Sequence, residues 1–300
     1  IPIIKHELSG VSFRSNVERS QRQQSLLKER GNSMHILHLQ GFIFFGTSDK
    51  LLKELRGRLQ SNGGHDIDFL VLDFRHVSDL DISAIQTFAR LSQLSETVGF
   101  HIVVTGVRPE WMERLVSVRF LSEEGSWKRL RFDDLADGVT WCEETILKEL
   151  GFDATGRRKD LASLLSVISR ESSRIDELKK YFSEMRLSRD EYLFHQGDVG
   201  RALYVVAEGS VAVVLEAGGR RRVLRRYRSG AFVGEMALYT GEPRSASVIA
   251  EQDSLLYRLP AGQFNSMSEK DPEAAGLMHG YIVRLLAERL GRSNRELQHV

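Results

Sequence analysis

The residues best equipped for chemistry lie in one run. It reads Gly234-Glu235-Met236-Ala237-Leu238, then a short spacer, then Pro243-Arg244-Ser245-Ala246-Ser247-Val248. An arginine offers a planar fork of donors that keeps its proton, which suits a phosphate anion. A carboxylate is a strong acceptor for a hydroxyl. Glu235 stands nine residues ahead of Arg244, a gap that one short helical turn over Met236 to Tyr239 can span. The free N–H groups at the start of that turn would face the same anion, and Gly234 lets the backbone come close. The chemistry is binding: a small ligand with one phosphate and one free hydroxyl. The plainer alternative is that Glu235 caps a surface helix and Arg244 pairs with it.

The flanking residues read as short strands broken by glycine turns. Glu191 to Asp198, Ala202 to Gly209 and Ser210 to Leu215 precede the run, and Ser247 to Ala250 and Ser254 to Leu259 follow it. After Pro272, the apolar residues Leu277, Met278, Tyr281, Ile282, Leu285, Leu286 and Leu290 recur at helical spacing.

Residues 172–298 resemble the cyclic-nucleotide-binding family. The likeness rests on the Gly-Glu-aliphatic-Ala-Leu…Pro-Arg-small-Ala-Ser-Val cassette, the Gln196-Gly197-Asp198 turn and the Leu203-Tyr204-Val205 ladder ending at Gly209. It implies a β-roll with flanking helices and a phosphate-binding cassette at Gly234, Glu235, Met236, Ala237, Arg244, Ser245 and Ala246. It also implies a C-terminal helix that closes over the base. Val233 departs from the pattern, since an aromatic is common there. Ser245 leaves the base open, because a hydroxyl residue there can favour guanine: cAMP is the first expectation and cGMP the alternative.

Three hundred residues suggest about two domains. Formal net charge is +1 with 41% hydrophobic residues, ordinary for a globular chain and without a global field for nucleic acid. A lone Cys142 excludes an internal disulfide and cysteine-rich zinc sites, and is expected to be a small core residue. No run approaches the ~18 apolar residues of a membrane helix. The chain opens Ile1-Pro2-Ile3-Ile4 without methionine, which we read as a piece of something longer or as a processed product.

Residues 1–30 are polar and moderately basic and read as a juxtamembrane linker or exposed helix. From Met34 the pattern changes. Met34 to Gln40 and Phe42 to Phe45, flanking Gly41, read as a strand pair, and Thr47 or Ser48 is placed to cap a helix carrying Leu51, Leu52, Leu55 and Leu59. Ile67 to Asp73 is a near-continuous apolar run, expected as a strand covered on both faces. Helices over Asp81 to Val98, Glu110 to Val118 and Asp133 to Leu150, the last with Leu135, Val139, Cys142, Ile146 and Leu150 aligned, alternate with a strand at Phe100 to Thr105. Such alternation predicts an α/β sheet with helices packed on it.

This part, residues 31–151, resembles a STAS domain, the fold of anti-anti-sigma factors and of SulP anion-transporter tails. The residues that carry the likeness are Leu39-Gln40-Gly41-Phe42-Ile43-Phe44-Phe45-Gly46, similar to the transporter branch, and Val71 to Ala84. Where anti-anti-sigma proteins have Asp-Ser-Ser-Gly, the chain has Asp81-Ile82-Ser83-Ala84. The resemblance puts Ser83 at the phosphorylated position. Ile82 and Ala84 depart from the motif and speak against partner switching. A serine near a helix start is otherwise a cap or turn former.

The expected architecture is therefore α/β plus mainly β: linker 1–30, STAS domain 31–151, linker 152–171 and nucleotide domain 172–300. Gly219 to Arg228 is the densest basic cluster. It reads as a solvated strand edge that blocks sheet pairing, or as a surface for lipid or nucleic acid. His35 and His38 fall on opposite faces of a strand and cannot share a metal, Asp73, Asp79 and Asp81 read as loop caps, and no catalytic constellation is visible. Taken together, the resemblances imply no enzyme, no metal and no nucleic-acid partner, since too few residues follow Leu290 for a helix-turn-helix. They imply the cytoplasmic regulatory region of a SulP-type sulfate or inorganic-anion transporter, joined in cis to an upstream membrane domain and lying at the cytoplasmic face of the membrane. A free-standing signalling protein is the alternative, and a homodimer is left open.

Overall fold

Apolar runs alternate with helical stripes through the first half, and the backbone follows them. A computed structural model describes residues 3–19, 21–61, 67–121, 129–152, 158–217 and 220–298. The chain divides into two units, Ile1–Ala154 and Thr155–Val300. In the first, strands β1 (Ile4–Ser9), β2 (Met34–Ile43), β3 (Phe69–Leu80), β4 (His101–Thr105) and β5 (Arg129–Phe132) form one sheet in that order. β1 runs antiparallel to β2 and the remaining pairs are parallel. The helices are α1 (Gln21–Arg30), α2 (Phe45–Ser61), α3 (Ile82–Val98), α4 (Pro109–Ser117) and α5 (Leu135–Glu149).

Both sheet faces are covered, which is why Phe69 to Phe74 are all buried. Leu52, Phe88 and Trp111 of α2, α3 and α4 pack on Leu37, Leu39, Leu70 and Leu72. Leu27 of α1 and Val139, Cys142 and Ile146 of α5 pack on Met34, Ile36, Val71 and Val103. Cys142 is a core residue, and burial pushes its thiol well up.

Several expectations change here. Met34 to Ile43 is one strand and not a pair: Gly41, at φ 72°, absorbs a register shift against β3 and the strand runs on. Residues 4–9, assigned to a linker, are the antiparallel edge strand β1, and Leu27 of α1 lies in the core. Helix α2 begins two residues before Thr47, whose Oγ1 reaches back to accept the Phe44 N–H at 3.0 Å. Leu150 ends α5 and is 36% exposed. Asp73 caps no loop; it is buried inside the sheet.

The second unit contains α6 (Leu161–Leu165), α7 (Ser172–Lys179), α8 (Glu235–Thr240), α9 (Ala261–Lys270) and α10 (Pro272–Gln298). Its strands are β6 (Ser183–Leu187), β7 (Tyr192–Phe194), β8 (Ala202–Glu208), β9 (Ser210–Ala217), β10 (Arg220–Arg228), β11 (Phe232–Val233), β12 (Ser247–Ala250) and β13 (Ser254–Pro260). They form two antiparallel sheets, β10-β9-β12-β7 and β11-β8-β13-β6. Tyr204, Val206, Val211, Val248 and Leu256 fill the space within the roll. Leu203, Val205, Leu255 and Leu259 face outward and are covered by α6, α7, α9 and α10. Leu161, Leu164, Leu165 and Ile168, expected in a linker, belong to this outer core. β10 is an edge strand, so its row of arginines lies on an otherwise open flank of the sheet.

Candidate functional site

The loop between α8 and β12 carries Arg244, and its course is fixed by the Gln196-Gly197-Asp198 turn. The Arg244 N–H donates to Asp198 O and the Gly197 N–H donates to Arg244 O, both at 2.8 Å. Asp198 Oδ2 accepts the His195 N–H at 2.8 Å, and the Ser247 hydroxyl accepts the Gln196 N–H at 2.9 Å. The guanidinium is thereby turned inward. Its Nη1 donates to Gly234 O and its Nη2 to Ala202 O, each at 2.7 Å, and its carbon lies 4.0 Å from the centroid of the Phe194 ring.

Arg244 is 6% exposed, and its Nε is buried with no hydrogen-bond partner. Burial pushes the guanidinium down from its ordinary value, and the nearby Tyr204, Glu235 and Asp198 oppose this. Both hydrogen bonds end on neutral carbonyls, so a buried cation keeps unused donors. That is the condition under which an anion adds most.

Gly234 makes the approach possible. It adopts φ 88° at the start of α8, and a Cβ there would lie 2.8 Å from Arg244 Nη1 and 3.2 Å from Ala202 O. Glu235 follows as the first residue of α8 and is 4% exposed. The structure thus brings Gly234, Glu235 and Arg244 together, with Ala237 and Ala246 buried beside them; Met236 and Ser245 are exposed.

Two partners were not read from the sequence. Phe194 lies under the Arg244 guanidinium, and Arg289 of α10 pairs with Glu235. A signal for Arg289 existed: Met278, Ile282 and Leu285 are spaced 4, 3 residues apart on the helix, and position 289 continues that face with a cation.

In the first unit, Ser83 lies in the first turn of α3. Its hydroxyl donates to Asp81 Oδ1 at 2.6 Å and accepts the Phe45 N–H at 3.1 Å. Asp81 also caps α3 by accepting the Ala84 N–H at 2.7 Å. Ser83 therefore ties the starts of α2 and α3 together beside a carboxylate. Deeper in the sheet, Asp73 Oδ2 meets His38 Nδ1 at 3.0 Å, and Asp73 Oδ1 accepts from Thr105 Oγ1 at 3.1 Å and from the Arg75 N–H at 3.3 Å. Burial pushes the Asp73 carboxyl up, but the His38 hydrogen bond, the Arg75 charge and the Thr105 hydroxyl outweigh it and hold it below its ordinary 3.8. His35 faces Glu7 instead, at 3.8 Å. Among the described residues, no group of three or more His, Cys, Asp or Glu side chains is placed to hold a metal ion, and no helix is long and apolar enough to cross a membrane.

Comparison with known proteins agrees with both halves. Residues 25–134 match the family model for the STAS domain, and residues 184–271 match that for the cyclic nucleotide-binding domain. Glutaminase 2 of Bradyrhizobium diazoefficiens is 23% identical over 294 residues, covering 97% of this chain and 45% of that protein. The cyclic AMP receptor protein of Thermus thermophilus is 33% identical over 124 residues, covering 41% of this chain and 56% of that protein. The chain thus spans about half the length of these curated relatives. Among solved structures, a cyclic nucleotide-binding domain from Methylobacillus flagellatus is 22% identical with TM-score 0.44, covering 47% of this chain and 84% of that one. The chain carries a STAS domain followed by a cyclic nucleotide-binding domain.

Proposed function

We propose that this chain is a regulatory region that senses a cyclic nucleotide and passes the signal to an effector in the same polypeptide. The observation that carries it is Arg244: a buried guanidinium with unused donors, set beside a buried carboxylate across one glycine. On this reading Arg244 holds the phosphate and Glu235 accepts a ribose hydroxyl. cAMP is the first ligand to test; Ser245, exposed beside Arg244, keeps cGMP as the alternative. The chain itself performs no catalysis; the ligand acts through its differential affinity for two arrangements of the region.

Arg244→Ala removes a charge-assisted contact to a partly buried anion. It should cost on the order of 2–3 kcal/mol, roughly a 30- to 150-fold rise in Kd. Calorimetric titration of the parent and variant with cAMP and with cGMP measures this, and equal affinities in the two proteins would sink the assignment.

For the effector, the resemblance of residues 39–46 to the transporter branch supports a SulP-type membrane domain upstream, with an inorganic anion such as sulfate as cargo and the region at the cytoplasmic face. A glutaminase effector has its own support, because the alignment with Glutaminase 2 runs through both domains in order. The coding sequence ahead of Ile1 separates the two: a series of hydrophobic spans favours the transporter, and a glutaminase catalytic region favours the enzyme. Anion uptake or glutamine hydrolysis by the whole protein, with and without cAMP, then reads the regulation.

A further inference from the structure

A row of polar side chains crosses the sheet of the first unit. Strand pairing sets His6 of β1 opposite His38 of β2, His38 beside Asp73 of β3, and Asp73 beside Thr105 of β4. Leu8 and Ile36, the next pair along on the same side, pack in the α1/α5 core, so the row continues that face. The His38 side chain is 15% exposed and His6 lies at the surface. Their rings meet edge to face with centroids 6.3 Å apart.

Asp73 settles which nitrogen of His38 is on offer. Its carboxylate is buried, is held below its ordinary pKa, and meets His38 Nδ1 at 3.0 Å. A neutral imidazole facing a carboxylate carries its proton on that nitrogen, so the lone pair is on Nε2. Carboxylates placed in this way orient metal-binding histidines and raise their basicity. The Arg75 and Thr105 hydrogen bonds go to the other Asp73 oxygen, Oδ1, and leave the His38 contact undisturbed. Residues directly opposite on antiparallel strands have Cβ atoms about 4.5–5.5 Å apart. Metal–nitrogen bonds of ~2.1 Å put two imidazoles that share one ion about 5–6 Å apart, centroid to centroid. A small rotation of the exposed His6 side chain closes the difference.

We propose that His6 and His38 form a site for a divalent transition-metal ion of the zinc or copper class, with Asp73 as the positioning residue that fixes the ligating tautomer of His38. Imidazole nitrogens suit these ions, whereas magnesium and calcium take oxygen ligands. Two protein ligands leave the other coordination positions to water, so the ion exchanges and is not a closed structural centre. When bound, it clasps the edge strand β1 to β2 through side chains as well as through the ladder.

Calorimetric titration of the chain with zinc(II), at a mildly alkaline pH where imidazoles are neutral, tests the site. His6→Ala removes an exposed side chain from an edge strand, so the fold should survive it; it should raise the Kd for zinc more than about 10-fold, and His38→Ala should do the same. Asp73→Asn keeps the size of the side chain without its charge and should weaken binding roughly 10-fold. His35→Ala, on the opposite face of β2, should bind like the parent. Zinc should raise the urea midpoint of the first unit, read by tryptophan emission, in the parent and not in His6→Ala. Electron paramagnetic resonance of the copper(II)-loaded chain should report two imidazole nitrogens in the parent and one in His6→Ala. No zinc binding by the parent, equal affinity in His6→Ala, an equal loss in His35→Ala, or a copper spectrum without a second imidazole in the parent each overturns the proposal.

Discussion

Each unit buries an arginine, and the two are handled differently. In the first unit Arg19 is 8% exposed and meets Glu143 at 3.2 Å and Glu144 at 3.7 Å, while Ser15 donates to the same Glu143 from its backbone and hydroxyl. In the second unit Arg244 is equally buried but ends on two carbonyl oxygens and a phenyl ring, with its Nε unpartnered. The first arrangement is closed: the charge is neutralised, and the segment before α1 is pinned to α5. The second is open, because hydrogen bonds to neutral carbonyls orient a cation without cancelling it. Burial depth alone does not tell these two arginines apart; the chemistry of their acceptors does.

This contrast can be broken by substitution. The largest effect is expected from Glu143→Ala, which leaves Arg19 buried and short of a partner. It should destabilise the first unit by about 3–5 kcal/mol and leave cAMP affinity unchanged. All three tryptophans (Trp111, Trp127 and Trp141) lie in that unit, so urea unfolding followed by tryptophan emission reads it selectively. An unchanged midpoint would remove the closed half of the comparison. Arg244→Ala should invert the pattern, with the loss of affinity given above and little loss of stability in the second unit.

Gly234→Ala sharpens the same point without touching a charge. The added methyl meets Arg244 Nη1 and the residue must hold φ 88°, so affinity should fall by about 1–2 kcal/mol. Full affinity in that variant would mean that the close approach has no role in binding. An effect of similar size concerns acid. Because the folded-state value of Asp73 is held below its ordinary 3.8, its contribution is complete above that value and fades as pH falls through the folded value. Asp73→Asn should lower stability by about 1–2 kcal/mol at neutral pH, and its curve should converge on the parent's as the buffer is taken below pH 3.8. Parallel curves down to the lowest pH would exclude that linkage.

How much was legible in the sequence follows from how local each determinant is. The Gly234–Arg244 segment is short and its residue types state their chemistry, so it could be singled out in advance. The buried run around Val71 and the stripe on α3 follow from periodicity. β1 did not, because a polar antiparallel edge strand is defined by its pairing with β2, which six mostly polar residues do not announce. Nor did the single strand across Gly41, where a bulge and a turn begin with the same glycine. Arg289 and Phe194 are close to the cassette only in space: 54 residues separate Arg289 from Glu235, and no local pattern spans that distance. Asp73 looked like a loop acid because its acceptors are filled from two neighbouring strands.

The arginine-rich flank of β10 has a consequence for handling the protein. A second copy offering the same strand would bring two rows of like charge together, so this edge resists growth into a longer sheet while the charges are felt. That protection is ionic and reaches only about 8 Å at physiological salt. It should therefore weaken as salt is added, and light scattering in increasing sodium chloride should show association beginning earlier when Arg222 and Arg225 are replaced by glutamine.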